Sequence, residues 1–163
     1  MIPNETIVAL ATPSGAGAIA VIRISGKNSI LIASLVFQSV SGKDITKQKT
    51  HTLHLGYIAD GPKIYDQVLL SIFKNPNSYT GEDVVEISCH GSVFIQQQII
   101  QLLLRKGCKM SQPGEFTLLA FLNGKMYVTN WGDANNESDD FLSIHNVTDG
   151  GFLGTFSVPF GPE

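Results

Sequence analysis

Residues 78–91 read SYTGEDVVEISCHG. Its centre, Asp83 to Cys89, is rich in β-branched residues and reads as a strand. Gly91 stops the strand. Ser92 can then cap a helix from Val93 to Lys106, and Gly107 is well placed just beyond its end. In a strand, Val85, Ile87 and Cys89 share one face, while Glu86, Ser88 and His90 share the other. A thiolate and its base must come within hydrogen-bond reach. Adjacent strand residues do not, so Cys89-His90 is set aside as a nucleophilic pair and Cys89 reads as a small core residue. Glu86 stands out instead. A mid-strand carboxylate can accept two parallel N–H bonds from a guanidinium or an aminopyrimidinone ring. It could equally be a solvated residue on an outer sheet face. Glu82 and Asp83 read as exposed or turn-capping residues.

Upstream, Thr6 to Leu10 and Ala18 to Ile24 read as short strands joined by ATPSGAG, a run of turn residues. Gly15-Ala16-Gly17 reads as a flexible turn, because the chain contains no nucleotide-binding G-x-x-x-x-G-K-[ST]. Arg23 shares a face with Ile19 and Val21. It reads as an edge or surface residue that could also hold an anionic ligand. Spacing predicts a helix from Asn28 to about Phe37, then a polar loop over 39–50. Thr52 to Ala59 and Ile64 to Lys74 form a predicted hairpin about Asp60-Gly61-Pro62. Downstream, Cys108 to Met110 is a short strand. Pro113-Gly114 opens a last helix with Glu115 in its first turn, and Asn123-Gly124 ends it. Lys125 follows, where a cation favours the helix dipole. Hairpins mixed with crossover helices predict an α+β fold, a mixed or antiparallel sheet with helices packed against it.

The 163 residues are 43% hydrophobic and 15% charged, a globular composition. No basic leader precedes an apolar run, and four glutamines break the apolar segment 93–104, so neither a signal peptide nor a membrane span is expected. Two cysteines are too few for a disulfide scaffold, and His51, His54 and His145 lack partners at metal-ligand spacing. The net charge of −3 is unevenly distributed. Residues 1–125 carry all eleven Lys and Arg against eight acids, giving +3, and 126–163 carry six acids and no base, giving −6. That step predicts a boundary. The segment after it has no helical period. Phe141 to Val147 and Phe152 to Val158 could form a hairpin about 148–151.

Four runs, ETIVALATP (5–13), GAIAVIRISG (17–26), SYTGEDVVEISCHG (78–91) and PGEFTLLAFLNGK (113–125), resemble the N-terminal domain of the bacterial tRNA modification GTPases called MnmE or TrmE. The resemblance implies a tetrahydrofolate-binding and dimerisation domain over 1–125. Its fold would be similar to the folate-binding part of glycine-cleavage aminomethyltransferases. It implies a one-carbon cofactor, 5-formyl- or methylene-tetrahydrofolate, contacted by Arg23, Glu86 and Lys125. In the family, an FAD-dependent partner of the MnmG (GidA) type and tRNA complete a C5 modification of the wobble uridine in the cytoplasm. GTP, Mg and K belong to the family's GTPase domain, which these residues do not include. The chain is therefore not expected to be catalytic alone, and no catalytic or metal-ligating residue is assigned. A stand-alone folate-dependent one-carbon transferase and a purely structural dimerisation module are the alternatives.

Two departures bear on the site. The family usually has arginine where this chain has Ala16 and Leu119. After Lys125 the family continues into a helix, where this chain reads YVTNWGDANN. Residues 126–163 are left as an unrecognised acidic tail, a β-hairpin or a fused segment.

Overall fold

The computed structural model describes residues 5–131, 141–146 and 152–157. The chain forms two compact units, 1–113 and 114–163.

The first unit is built on β1 (Ile7–Leu10), β2 (Ile19–Ser25), β3 (Phe37–Ser39), β4 (Thr52–Asp60), β5 (Lys63–Phe73), β6 (Val84–His90) and β7 (Lys109–Met110). Helix α1 (Ser29–Ser34) follows β2, and α2 (Val93–Arg105) follows β6. The strands form one sheet in the order β3-β4-β5-β6-β2-β1-β7. All neighbours are antiparallel except β1 and β7, which are parallel. This is the α+β class expected from the mixture of hairpins and crossovers.

Alternation sorts the sheet into two faces. Ile22 and Ile24 of β2, Leu70 and Ile72 of β5, and Val85, Ile87 and Cys89 of β6 lie in the core with Ile30 and Ile32 of α1 and Ile99, Leu102 and Leu103 of α2. Full burial of each large aliphatic side chain contributes about 1.5–3 kcal/mol. Within this unit, α1 and α2 both pack on the core side and leave the opposite face open. Ile19, Leu53, Leu55 and Leu69 are exposed there.

Three details differ from the sequence reading. The predicted helix from Asn28 to Phe37 stops at Ser34, and Phe37 instead begins β3, paired with Ile58. Packing overrides the helical period here. The Phe37 ring fills the space over Gly56, where any Cβ would collide with it. The polar loop over 39–50 contains a short 3₁₀ turn, Ile45–Lys47, started by Asp44, whose side chain accepts from the Thr46 N–H at 2.9 Å. Finally, of the edge-or-surface reading of Arg23 only the edge is excluded. Strand β2 lies between β6 and β1, so Arg23 sits within the sheet on its open face.

The second unit contains α3 (Glu115–Leu122) and a three-stranded antiparallel sheet of β8 (Met126–Trp131), β9 (Phe141–Asn146) and β10 (Phe152–Ser157), in the order β10-β9-β8. Of the hairpin expected after Lys125, the two strands β9 and β10 pair antiparallel, with Phe141 opposite Ser157. Its expected turn, 148–151, and its outer residues Val147 and Val158 lie outside the described residues. Strand β8 was not anticipated. Its sequence, MYVTNW, shows no clean alternation, and its pairing partner β9 begins only at Phe141.

Among the described residues, no helix is long and apolar enough to cross a membrane.

Candidate functional site

The strand register brings Arg23 and Glu86 together. Arg23 of β2 is the direct cross-strand partner of Glu86 of β6, although they are 63 positions apart in the chain. Arg23 Nε donates to Glu86 Oε1 at 2.8 Å, and Nη2 lies 2.8 Å from the same oxygen. Each side chain retains 25% of its exposure. Neither carboxylate nor guanidinium is therefore in the core. Both lie on the uncovered face, flanked along the same row by Ser71 of β5 and Ala9 of β1. The fork closes on one carboxylate oxygen, Oε1.

A third group joins this pair. The Tyr79 ring lies over the Arg23 guanidinium, 4.8 Å from centroid to Cζ. Tyr79 belongs to the segment between β5 and β6, and its neighbours hold it there. Thr80 and Ser25 are completely buried, with their hydroxyl oxygens 2.6 Å apart. Ser25 Oγ donates to Glu82 Oε2 at 2.8 Å, so the Thr80 hydroxyl must supply the proton between the two. Asp83 closes the segment: its side chain accepts from the Asn75 N–H at 2.9 Å, and its carbonyl accepts from Ser29 Oγ at 2.7 Å. Glu82 and Asp83, read as exposed or capping residues, are the struts of this loop. Tyr79 gave no signal in the sequence, because its neighbour Arg23 is remote along the chain.

Cys89 and His90 point to opposite sides, as alternation requires. Cys89 is 3% exposed, and burial, with the nearby Asp66 charge, pushes its thiol up to about 11. Cys108 is also buried, which pushes its thiol up to about 12. Neither thiol is activated as a nucleophile. His90 has a partner that the sequence did not suggest. Asp66 Oδ1 lies 2.7 Å from His90 Nδ1, and Asp66 Oδ2 accepts from the His90 backbone N–H at 2.8 Å. Asp66 and His90 are 24 positions apart on different strands, so only the sheet could reveal them as a pair.

The glycine turn is a packing element. Gln96, nearly buried at the start of α2, donates from Nε2 to the carbonyls of Gly15 and Gly91, both at 3.1 Å. Gly17 donates its N–H to the Gly91 carbonyl at 2.9 Å. The Gly17 backbone runs so close to Gly91 that a Cβ on Gly91 would strike the Gly17 carbonyl. His54 is buried and lies 2.9 Å from the Thr52 hydroxyl, and burial, with the Lys43 charge, lowers its pKa. Among the described residues, no group of three or more His, Cys, Asp or Glu could hold a metal ion.

Lys125 belongs to the second unit. It is half-buried just after α3, and its N–H donates to the Ala120 carbonyl at 2.8 Å. Leu119, at the position where the family usually has arginine, is 6% exposed within the same unit.

Comparison with known proteins agrees with the resemblance. The family described as GTP-binding protein TrmE N-terminus matches residues 6–125. A tRNA modification GTPase MnmE of Flavobacterium psychrophilum is 80% identical over 126 residues, covering 77% of this chain and 27% of the relative. The MnmE of Flavobacterium johnsoniae is 60% identical over 158 residues, covering 93% of this chain and 34% of the relative, so that alignment runs past Lys125. The MnmE of Enterococcus faecalis is 48% identical over 124 residues, covering 75% of this chain and 26% of the relative. The chain thus spans about a quarter to a third of the length of the curated relatives it matches. From residue 6 to residue 125, the chain belongs to the family of the GTP-binding protein TrmE N-terminus.

Proposed function

We propose that this chain is the folate-binding and dimerisation module of a tRNA modification GTPase. The ligand would be a one-carbon tetrahydrofolate derivative, 5-formyl- or methylene-tetrahydrofolate. Within the whole protein, the module would serve the C5 modification of the tRNA wobble uridine in the cytoplasm, together with an FAD-dependent partner of the MnmG type.

The observation that carries this reading is the Arg23–Glu86 pair on an uncovered sheet face. The donor set suits a pterin. Glu86 Oε2 can accept from the ring N–H or the 2-amino group, and an adjacent guanidinium suits the ring carbonyl. Tyr79 adds an aromatic surface beside them. Lys125 is the third residue that the resemblance assigns to the ligand, and it is tested by its own substitution.

Calorimetric titration of 5-formyltetrahydrofolate into the whole chain tests the reading. Saturable binding is expected, and Glu86→Ala should weaken it by about 1.5–3 kcal/mol, the range for a hydrogen bond to a charged group. Absence of heat at millimolar ligand, from a folded sample, would sink the proposal. Lys125→Ala should weaken binding in the same direction.

A second reading has its own support. Ile19, Leu53, Leu55 and Leu69 make the open face partly apolar. That favours a covering partner, and a second copy of the chain is the simplest one. A dimer by sedimentation with no folate binding would mark the chain as a purely structural dimerisation module.

A further inference from the structure

The open face carries polar groups at two stations along β6. Glu86 with Arg23 forms the first. His90 with Asp66 forms the second. Glu86, Ser88 and His90 alternate along one strand, so the two stations stand about 13 Å apart at roughly 3.3 Å per residue. Between them on β6 stands Ser88, in an otherwise apolar row. Ser88 is flanked by Leu69 of β5 and Val21 of β2, and Leu69 is flanked in turn by Leu55 of β4. A cleft of about 190 Å³ lies at the His90 end, lined by residues that include Ile19, Leu55, Leu69, Ser88 and His90.

The second station is fixed in geometry. The Asp66 side chain is 9% exposed, and the backbone N–H groups of His90 and Gln67 donate to it at 2.8 and 2.9 Å. Its carboxylate can only accept, so the His90 Nδ1 contact places a proton on that nitrogen. The His90 side chain is 71% exposed. Nε2 is then the ring nitrogen left for a ligand.

We propose that the Asp66–His90 pair and its cleft form the arm subsite of the ligand that Glu86 anchors. The aryl arm of a reduced folate would lie over Leu55 and Leu69, and His90 Nε2 would hydrogen-bond the amide joining that arm to its amino-acid tail. Asp66 acts as a positioning residue through His90. The inference rests on the folate reading above. It also accounts for the pattern of the face: a polar anchor, an apolar stretch and a polar end suit a flat heteroaromatic head joined to an aryl arm.

The test uses the whole chain and two probes, 5-formyltetrahydrofolate and tetrahydrobiopterin, which has the pterin but no aryl arm. His90→Gln is expected to weaken 5-formyltetrahydrofolate about tenfold and leave tetrahydrobiopterin unchanged. Asp66→Asn should follow His90→Gln, whereas Glu86→Gln should weaken both probes. In proton NMR, the His90 ring resonance, assigned by its loss in His90→Gln, should move on adding 5-formyltetrahydrofolate and stay put with tetrahydrobiopterin. An unmoved resonance at saturating 5-formyltetrahydrofolate, or an unchanged affinity in His90→Gln, overturns the arm subsite and leaves the Glu86 anchor standing. Failure of the wild-type chain to bind either probe overturns both readings. Because Asp66→Asn could loosen the β5–β6 pairing, His90→Gln and the resonance decide the matter if that variant does not fold.

Discussion

Arg23 and Glu86 face each other across adjacent strands, with two guanidinium nitrogens 2.8 Å from one carboxylate oxygen. Both side chains keep a quarter of their exposure, so solvent screens the pair and its stabilisation of the fold is small. Glu86→Gln should shift the urea stability of the chain by less than about 1 kcal/mol. A much larger loss would mean that the pair is structural, and any fall in ligand affinity could no longer be read as a lost ligand contact.

Tyr79 contributes through the Arg23 guanidinium beneath its ring. Tyr79→Leu should cost about 0.5–1 kcal/mol of that contact, while Tyr79→Phe should preserve it. Comparing the two in urea denaturation separates the aromatic face from the hydroxyl. Equal behaviour of Leu and Phe at this position would remove the cation–π contact from the account.

Ser25 joins β2 to the segment that carries Tyr79. Ser25→Ala removes a fully buried bond to Thr80 and a part-buried one to Glu82. A loss of about 1–3 kcal/mol is expected, as for a buried polar group deprived of a partner. The denaturation midpoint reads this directly, and a neutral Ser25→Ala would show that the loop is held elsewhere.

Gly91 permits the close approach of the glycine turn. Gly91→Ala drives a methyl into the Gly17 carbonyl, which is backbone and cannot rotate away. The expected cost is about 1–3 kcal/mol or more. It should appear as a lower melting temperature, with Gly42→Ala, where a Cβ would meet nothing, compared for its separate left-handed backbone cost.

Cys89 and Cys108 set an alkaline limit. Burial raises the two thiols from an ordinary value of 9.0 to about 11 and about 12 in the fold. The unfolded chain therefore releases these protons first as pH rises. Their contribution is fully present below pH 9.0 and is lost as pH climbs through about 11 to 12. Urea midpoints should fall over that window, less steeply in a Cys89→Ala, Cys108→Ala double variant. At pH 8 both thiols should resist a disulfide reagent until the chain is unfolded. Rapid labelling of the native chain would contradict their burial.

Much of the fold was legible because its signals are local. The run VVEISCH has the composition of a strand, and Gly91 and Ser92 mark the change to α2. The Gly61-Pro62 turn announces the β4–β5 hairpin. Phe37 was misread because its helical spacing is local, whereas the slot over Gly56 that captures its ring belongs to another strand. Strand β8 was missed for a related reason, since it is defined by pairing with β9.

The chain by itself determined that Glu86 lies opposite Val85 and Ile87 on its strand, because side-chain alternation is a property of any extended backbone. It also determined the family, through four short runs in order. Only the tertiary structure decided what stands next to Glu86. Register brought Arg23 to its oxygen, a buried hydroxyl pair held the loop that places Tyr79 over Arg23, and the first part of β5 delivered Asp66 to His90. These contacts join residues tens of positions apart, and a sheet specifies such neighbours by its strand order, which no local pattern encodes.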